Sequence, residues 1–211
     1  MFDSGISVKN LVDELKTTEV DIVLDIPDVT YASWINSLQQ LLYTEVIKEQ
    51  KIKTIQMPET NVISISSLQP ASDENKPIFE DIYTIYADGI QLKKSTVASG
   101  AIFLDTFYKD NNDIGFNTMN MPTEVKIVYF VRPALVPCST QKNIKETYEN
   151  GNPINVMVPV EFIDLVKAKL RGEAYKLVNE DSIAAKWLND YNILLETFKS
   201  WVAEKSPNFG M

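Results

Sequence analysis

The feature of this chain that most constrains its fold is the order of its hydrophobic patterns. Around residues 31–50, and again from Pro159 to Lys205, apolar residues recur every three to four positions, which is typical of amphipathic helices. Between about residues 51 and 135, short apolar segments alternate with turn residues, which is typical of strands. The order predicts an α+β protein in which N- and C-terminal helices form a bundle and an antiparallel β domain is inserted between them.

The predicted domain boundaries follow these changes of pattern. Residues 1–50 supply the N-terminal helices of the bundle, and residues 51–158 form the inserted β domain and a loop. Residues 159–205 form the C-terminal helical hairpin of the bundle, and residues 206–211 form a C-terminal tail.

Capping and turn residues set the expected helix boundaries. Ser7 is expected to cap a short first helix, and Asp28 or Thr30 to cap the helix that contains residues 31–50. Pro159 suits the first position of a helix, where its missing N–H has no cost. Asn179–Ser182 is short enough that the last helix should return antiparallel.

The clearest strand signals lie in the middle of the chain. Asp88-Gly89 lies between two apolar segments and favours a type I′ hairpin, because both central residues of that turn need positive φ. Residues 125–131 are apolar on both faces, which predicts a central strand. Residues 139–155 are polar and predict a loop. Further short strands are predicted at 52–57, 62–68 and 101–108.

The inventory of reactive residues argues against an enzyme. The chain contains no histidine and a single cysteine, Cys138, so the commonest acid–base group and a Cys–His nucleophile are both missing. Asp110–Gly115 resembles the start of a calcium loop but lacks ligands at later positions, which predicts a solvated turn. The neighbouring carboxylates Glu80-Asp81 and Glu180-Asp181 could be considered as acid–base pairs. Both pairs are expected at the boundaries of helices or strands, where acidic residues cap helices or border strands. We therefore expect no catalytic residue, metal site or cofactor, and we expect the chain not to be an enzyme.

Charge and hydropathy indicate the expected surroundings. The net charge is −9, from 29 acidic and 20 basic residues, and an acidic surface disfavours binding to the phosphate backbone. The longest apolar run falls far short of the ~18 residues of a membrane span. Met1–Asn10 lacks a basic start followed by an apolar run, so no secretory signal is expected. A soluble protein made in a cytoplasm is the expectation.

Residues near the C-terminus are the candidates for contacting a partner. Trp201 lies beside the apolar stripe of the last helix, which Val202 already extends. The tail carries large apolar side chains that cannot join that helix, and exposed apolar groups of this kind mark interaction sites. The predicted partner-binding residues are Trp201, Pro207, Asn208, Phe209 and Met211.

Three stretches together resemble the head–tail connector, or portal adaptor, proteins of tailed bacteriophages. The first is Ile26-Pro27-Asp28 followed by Trp34–Leu38. It is similar to the Pro-Asp turn of that family and to the following helix, which carries a Trp/Leu-Asn motif. The second, Glu124–Pro133, resembles the last strand of that family's β insertion, which ends in Arg-Pro. The third, Val158–Phe162, resembles the start of its closing helical hairpin.

The resemblance implies a structural protein of the virion neck, made and assembled in the host cytoplasm. Such subunits form a homo-oligomeric ring, usually dodecameric, that docks on the portal protein and presents a platform to tail or neck proteins. The ring extends the DNA channel, and DNA passes through it without specific binding. In this family the C-terminal segment often reaches into the portal, which would give Pro207–Met211 a role. Copy number, tail type and the orientation of the faces stay open.

Two other readings remain open beside the adaptor. One is another neck or tail-completion protein. The other, from a different class, is a monomeric ligand-binding or regulatory α+β module whose pocket, between the bundle and the sheet, would use Tyr83, Tyr86 or Trp34. A hydrolase based on carboxylates alone is a third and weaker reading.

Overall fold

The structure is a computed structural model that describes residues 4–18, 26–69, 78–95, 105–138, 140–149 and 154–205. These residues form a mixed α+β fold. The helices are α1 (Val8–Thr18), α2 (Asp28–Leu41), α3 (Gln141–Glu149), α4 (Ile163–Leu177) and α5 (Asp181–Lys205). The strands are β1 (Gln50–Gln56), β2 (Val62–Ser64), β3 (Ile78–Ala87), β4 (Ile90–Lys94), β5 (Thr106–Asp110), β6 (Asp113–Asn117) and β7 (Glu124–Arg132).

The chain divides into two compact units. Unit 1 comprises Met1–Ile47 and Pro133–Met211, and unit 2 comprises Lys48–Arg132. Residues 133–158, which the sequence assigned to the inserted domain, therefore belong with the helices. The reason is burial, because apolar side chains of that segment lie in the core of unit 1; they include Val136, Ile144, Val156 and Val158.

The first helix forms as predicted. The Asn10 amide donates to the Ser7 hydroxyl at 3.1 Å, which confirms Ser7 as the cap of α1. Backbone hydrogen bonds then pair the segment before α1 with the segment before α4. Val156 N donates to Ile6 O at 2.9 Å, and Val8 N donates to Ile154 O at 2.9 Å. Residues distant in sequence are thus joined in unit 1.

The predicted cap of α2 is wrong. The helix begins at Asp28 with Pro27 in the cap position, and no side chain caps it. The Asp28 carboxylate pairs with Lys16 instead. From Leu42 to Ile47 the chain continues as a π-helix, whose turns bring residues five apart onto one face. Leu42 and Ile47 are both buried on that face.

Two amides of α2 hold the returning segments of unit 1. Asn36 is buried, and its Nδ2 donates to Val136 O at 2.9 Å while its Oδ1 accepts from Val136 N at 2.8 Å. Gln39 is 1% exposed and accepts a hydrogen bond from the Met157 amide. The segments 133–138 and 154–158 are therefore tied to one face of α2.

The prediction of a loop over residues 139–155 is wrong in part, because α3 lies within it. Ile144 of α3 is fully buried in the core of unit 1. A single buried isoleucine in a polar segment produces no hydrophobic period, so the sequence pattern does not show this helix.

The closing helical hairpin is confirmed in its main features. Lys169 Nζ and Glu173 Oε1 of α4 lie 2.7 Å apart, as their spacing predicts. Phe162 packs on Phe198 and Arg171 on Trp187, so α5 runs antiparallel to α4. Pro159 is not the first helical residue, since it precedes a 3₁₀ turn at Val160–Phe162 that leads into α4.

The strands of the described residues form one seven-stranded sheet in unit 2, in the order β1-β7-β3-β4-β5-β6-β2. The Asp88-Gly89 hairpin is confirmed, with φ of 45° and 84° at its central residues. Strand β7 lies between β1 and β3 and is antiparallel to both, which confirms the predicted interior strand.

The antiparallel prediction fails at one pair, because β4 and β5 run parallel. They are separated by residues 95–105, a connection too long for a tight hairpin and long enough for a crossover. Asp110–Gly115 was predicted to be a solvated turn. The turn itself is limited to Asn111-Asn112 in the β5–β6 hairpin, and Ile114 is fully buried. The predicted strand at 62–68 ends at Ser64, where a 3₁₀ turn begins.

Candidate functional site

The residues considered for chemistry lie apart. Within the described ranges, no three Cys, Asp or Glu side chains come together in a way that could hold a metal ion. Cys138 is half-buried, and its Sγ lies 3.3 Å from Asn36 Nδ2. Asp81 is half-buried and lies 3.7 Å from Lys94; Glu80-Asp81 lies inside β3, so its predicted place at an element boundary is wrong. Asp181 is the first residue of α5, as predicted. These groups have positions that the fold itself explains.

Of the predicted partner-binding residues, the structure describes Trp201. Its half-buried ring lies 5.4 Å from the Phe162 ring and 6.2 Å from the Phe198 ring. Lys205 Nζ lies 5.9 Å above it. Trp201 thus packs against the core of unit 1 and keeps part of its surface in solvent. Pro207, Asn208, Phe209 and Met211 lie outside the described residues.

Unit 2 carries an apolar groove on the outer face of β1, β7 and β3, which we call the sheet groove. Its volume is about 470 Å³. The register explains its composition, because Ile52 of β1 pairs with Val128 of β7, which pairs with Thr84 of β3. A bulge in β3 between Ile82 and Thr84 contains Tyr83. The lining residues are Gln50, Ile52, Tyr83, Thr84, Tyr86, Gly89, Glu124, Lys126 and Val128.

The large side chains of the sheet groove are exposed. Ile52 is 61% exposed and Tyr83 is 53% exposed, and the Tyr83 ring meets Phe130 edge-on at 5.4 Å. Lys126 Nζ lies 6.0 Å from the centre of the Tyr86 ring and makes no ion pair among the described residues. The groove therefore combines apolar area with one cation, Lys126, and one carboxylate, Glu124.

Unit 1 has a groove of similar volume between α4 and α5. The Arg171 guanidinium lies 4.6 Å from the centre of the Trp187 ring, and Ile193 is 59% exposed. Lys167, which also lines this groove, is paired with Glu14 and with Asp164. Ion pairs within the unit therefore already balance much of its charge.

The turn between α4 and α5 carries a second exposed apolar group, which we call the hairpin tip (residues 177–183). Leu177 is 57% exposed, and Val178 and Ile183 are each 37% exposed. Asn179 has φ of 61°, so the chain reverses sharply between the helices. Leu177 continues the apolar spacing of α4, but it is exposed because it occupies the last position before the turn.

The chain matches no protein-family model, and comparison with curated proteins gives no match. Among the described residues, no helix has the length and apolar character needed to cross a membrane.

Sequence reasoning found part of this surface. Tyr83 and Tyr86 were predicted to line a pocket between the bundle and the sheet; they line the sheet groove, which lies within unit 2. Trp34, named with them, belongs to unit 1 and packs edge-on against Tyr31 at 5.5 Å. Ile52 and Lys126 were missed. The sequence shows that β7 is apolar on both faces. That pattern predicts that β7 is a central strand, but it does not show that Ile52 and Lys126 lie on an open face.

Proposed function

We propose that the chain is a subunit of a head–tail adaptor ring of a tailed bacteriophage. In this role it docks on the portal, extends the DNA channel and connects the capsid to the tail. The finer architecture that goes with this role is a helical bundle from both chain ends with an inserted β domain. The protein acts structurally, without catalysis or a cofactor.

The observation that carries the proposal is a contact between one stretch that resembles adaptors and the segment that directly follows another. Asn36 lies in the Trp34–Leu38 stretch, and it forms both side-chain hydrogen bonds with Val136, three residues beyond Arg132-Pro133. Arg132-Pro133 coincides with the border between unit 2 and unit 1. The Trp34–Leu38 stretch therefore fixes the chain just after Arg132-Pro133, where it returns to unit 1.

Exposed apolar surfaces on both units also support a subunit of an assembly. The sheet groove and the hairpin tip each leave large aliphatic or aromatic groups in solvent. Contiguous apolar patches of this kind mark protein interfaces. The net charge of −9 suits a ring through which DNA passes without sticking.

The test is electron microscopy of this protein mixed with the portal protein of the same phage, beside each protein alone. We expect a ring of density capping the portal. A matched variant that ends after Lys205 tests the predicted contacts of Pro207, Asn208, Phe209 and Met211, and we expect it to bind less. A compact monomer that leaves the portal bare would reject the adaptor role.

The sheet groove favours a ligand-binding or regulatory module as the second candidate. A groove of about 470 Å³ with two tyrosines and one lysine has the size and composition of a small-molecule site. This second candidate predicts a monomer that does not bind the portal. It also predicts that the absorbance of Tyr83 and Tyr86 changes when a ligand binds. Another neck or tail-completion role predicts binding to a neck component other than the portal.

A further inference from the structure

We propose that the hairpin tip of one copy docks in the sheet groove of a second copy of this chain. The inference deepens the proposed function, since a ring needs two different surfaces on each subunit, and it rests on that function only for the closure of the ring. The contact itself is a property of the two surfaces.

The two surfaces match in polarity. The sheet groove is concave and offers Ile52, Tyr83 and Val128 as apolar lining. The hairpin tip, at a sharp reversal between two helices, offers Leu177, Val178 and Ile183. Tyrosine often anchors an interface when it is packed and desolvated, and the aliphatic tip would bury Tyr83 in this way.

The two surfaces also match in charge. The tip carries Glu180 and Asp181, and neither makes an ion pair among the described residues. The groove carries Lys126, whose ammonium lies over Tyr86 and has no carboxylate partner in the described part of the chain. Glu124, at the rim, already accepts a hydrogen bond from Gln56 Nε2 at 3.3 Å. Docking the acidic tip would give Lys126 its counter-charge.

A contact between two different surfaces of the same chain is heterologous. Such contacts repeat head to tail and produce a ring when the rotation closes. The tip is small compared with the ~800 Å² per partner of a standard interface, so the contact should be weak for two free copies. Covalent trapping is therefore the suitable measurement.

The experiment mixes two single-cysteine chains, one carrying Ile52→Cys and a mass tag and the other carrying Val178→Cys, both with Cys138→Ala. Under mild oxidation we expect disulfide-linked heterodimers to form about tenfold faster than with a Met119→Cys chain. Met119 is the matched control because it is 81% exposed and lies outside the sheet groove. Heterodimers that form no faster than with this control would overturn the proposal.

A charge exchange gives the second arm. Adding Lys126→Glu to the groove chain places like charges in contact and should slow trapping about tenfold, to the rate of the Met119→Cys control. Adding Glu180→Lys and Asp181→Lys to the tip chain should then restore it. A trapping rate that neither change alters would overturn the proposal.

The two proposals fail in different ways. A ring on the portal without specific trapping would leave the adaptor role intact and remove this contact. Specific trapping by a chain that does not bind the portal would leave the contact intact and remove the adaptor role.

Discussion

A single buried amide, Asn36, fixes the segment that follows unit 2. Its side chain forms two hydrogen bonds with the backbone of Val136, which is 1% exposed, and its Nδ2 also donates to Cys138 Sγ. Asn36→Ala leaves that buried N–H and C=O without partners, so we expect the free energy of unfolding to fall by about 2–4 kcal/mol. Urea denaturation measures this loss.

The control for Asn36→Ala is its neighbour Ser37→Ala. The Ser37 hydroxyl is exposed and donates to Ser33 O at 3.0 Å within the same helix. We expect its removal to change the stability by less than about 0.5 kcal/mol. Equal effects of the two substitutions would contradict the tethering role of Asn36.

Tyr148 of α3 makes the stability of the protein sensitive to alkaline pH. Burial raises the pKa of its phenol well above the ordinary value of about 10, and the charges of Asp28 and Asp13 add to the shift. Above about pH 10 the unfolded chain loses this proton while the folded chain keeps it. The stabilising contribution is therefore complete below about pH 10 and declines as the pH rises through the folded pKa.

We expect Tyr148→Phe to lessen the loss of stability between about pH 9 and about pH 11. Its hydroxyl is buried without a hydrogen-bond partner among the described residues, so at neutral pH the variant should be neutral or more stable by about 1 kcal/mol. Denaturation midpoints across this pH range measure both effects, with the exposed Tyr83→Phe as control. An unchanged alkaline slope would show that Tyr148 ionises equally in both states.

At the scale of elements, the close approach of α4 and α5 depends on Gly172. A Cβ at this position would lie 2.6 Å from Leu188 Cδ2 and 2.7 Å from its Cγ. Overpacking costs about 1–3 kcal/mol, whereas alanine gains about 1 kcal/mol in helix propensity. We expect Gly172→Ala to destabilise the protein by about 1 kcal/mol net.

Removal of the Leu188 side chain should reverse the sign of the effect of Gly172→Ala on stability. In a Leu188→Ala background the propensity gain remains and the clash does not, so Gly172→Ala should stabilise by up to about 1 kcal/mol. Thermal denaturation of the four chains gives the coupling energy. The same effect of Gly172→Ala in both backgrounds would show that the helices already separate at this point.

Elements with local signals were predictable from the sequence, and those that depend on distant contacts were not. The Asp88-Gly89 turn and the capped helix α1 follow from a few adjacent residues, and both are present. Among its described side chains, helix α3 meets the core of unit 1 through only Ile144 and the half-buried Tyr148, in an otherwise polar segment. The parallel pairing of β4 with β5 leaves no local trace either.

The candidate site was predictable in residue type but not in place. Tyr83 and Tyr86 could be named as available aromatic groups, yet their common groove depends on the register of β3 with β7 and on a bulge in β3. That register is set by cross-strand packing over the whole sheet. The exposed hairpin tip depends on where α4 ends, which is among the least predictable features of a helix.

At the scale of the whole molecule, the buried apolar residues form two separate clusters, one in each unit. All three tryptophans, Trp34, Trp187 and Trp201, belong to unit 1. Tryptophan fluorescence therefore reports the unfolding of unit 1, whereas far-UV circular dichroism reports both units. This distribution makes the independence of the two cores measurable without a fragment of the chain.

We expect Ile127→Ala, at a fully buried position of β7, to destabilise unit 2 by about 2–5 kcal/mol. The circular dichroism transition should move to lower urea concentration while the fluorescence transition stays in place. Leu11→Ala, its matched control in the core of unit 1, should move the fluorescence transition. If Ile127→Ala moves both transitions equally, the two cores unfold as one.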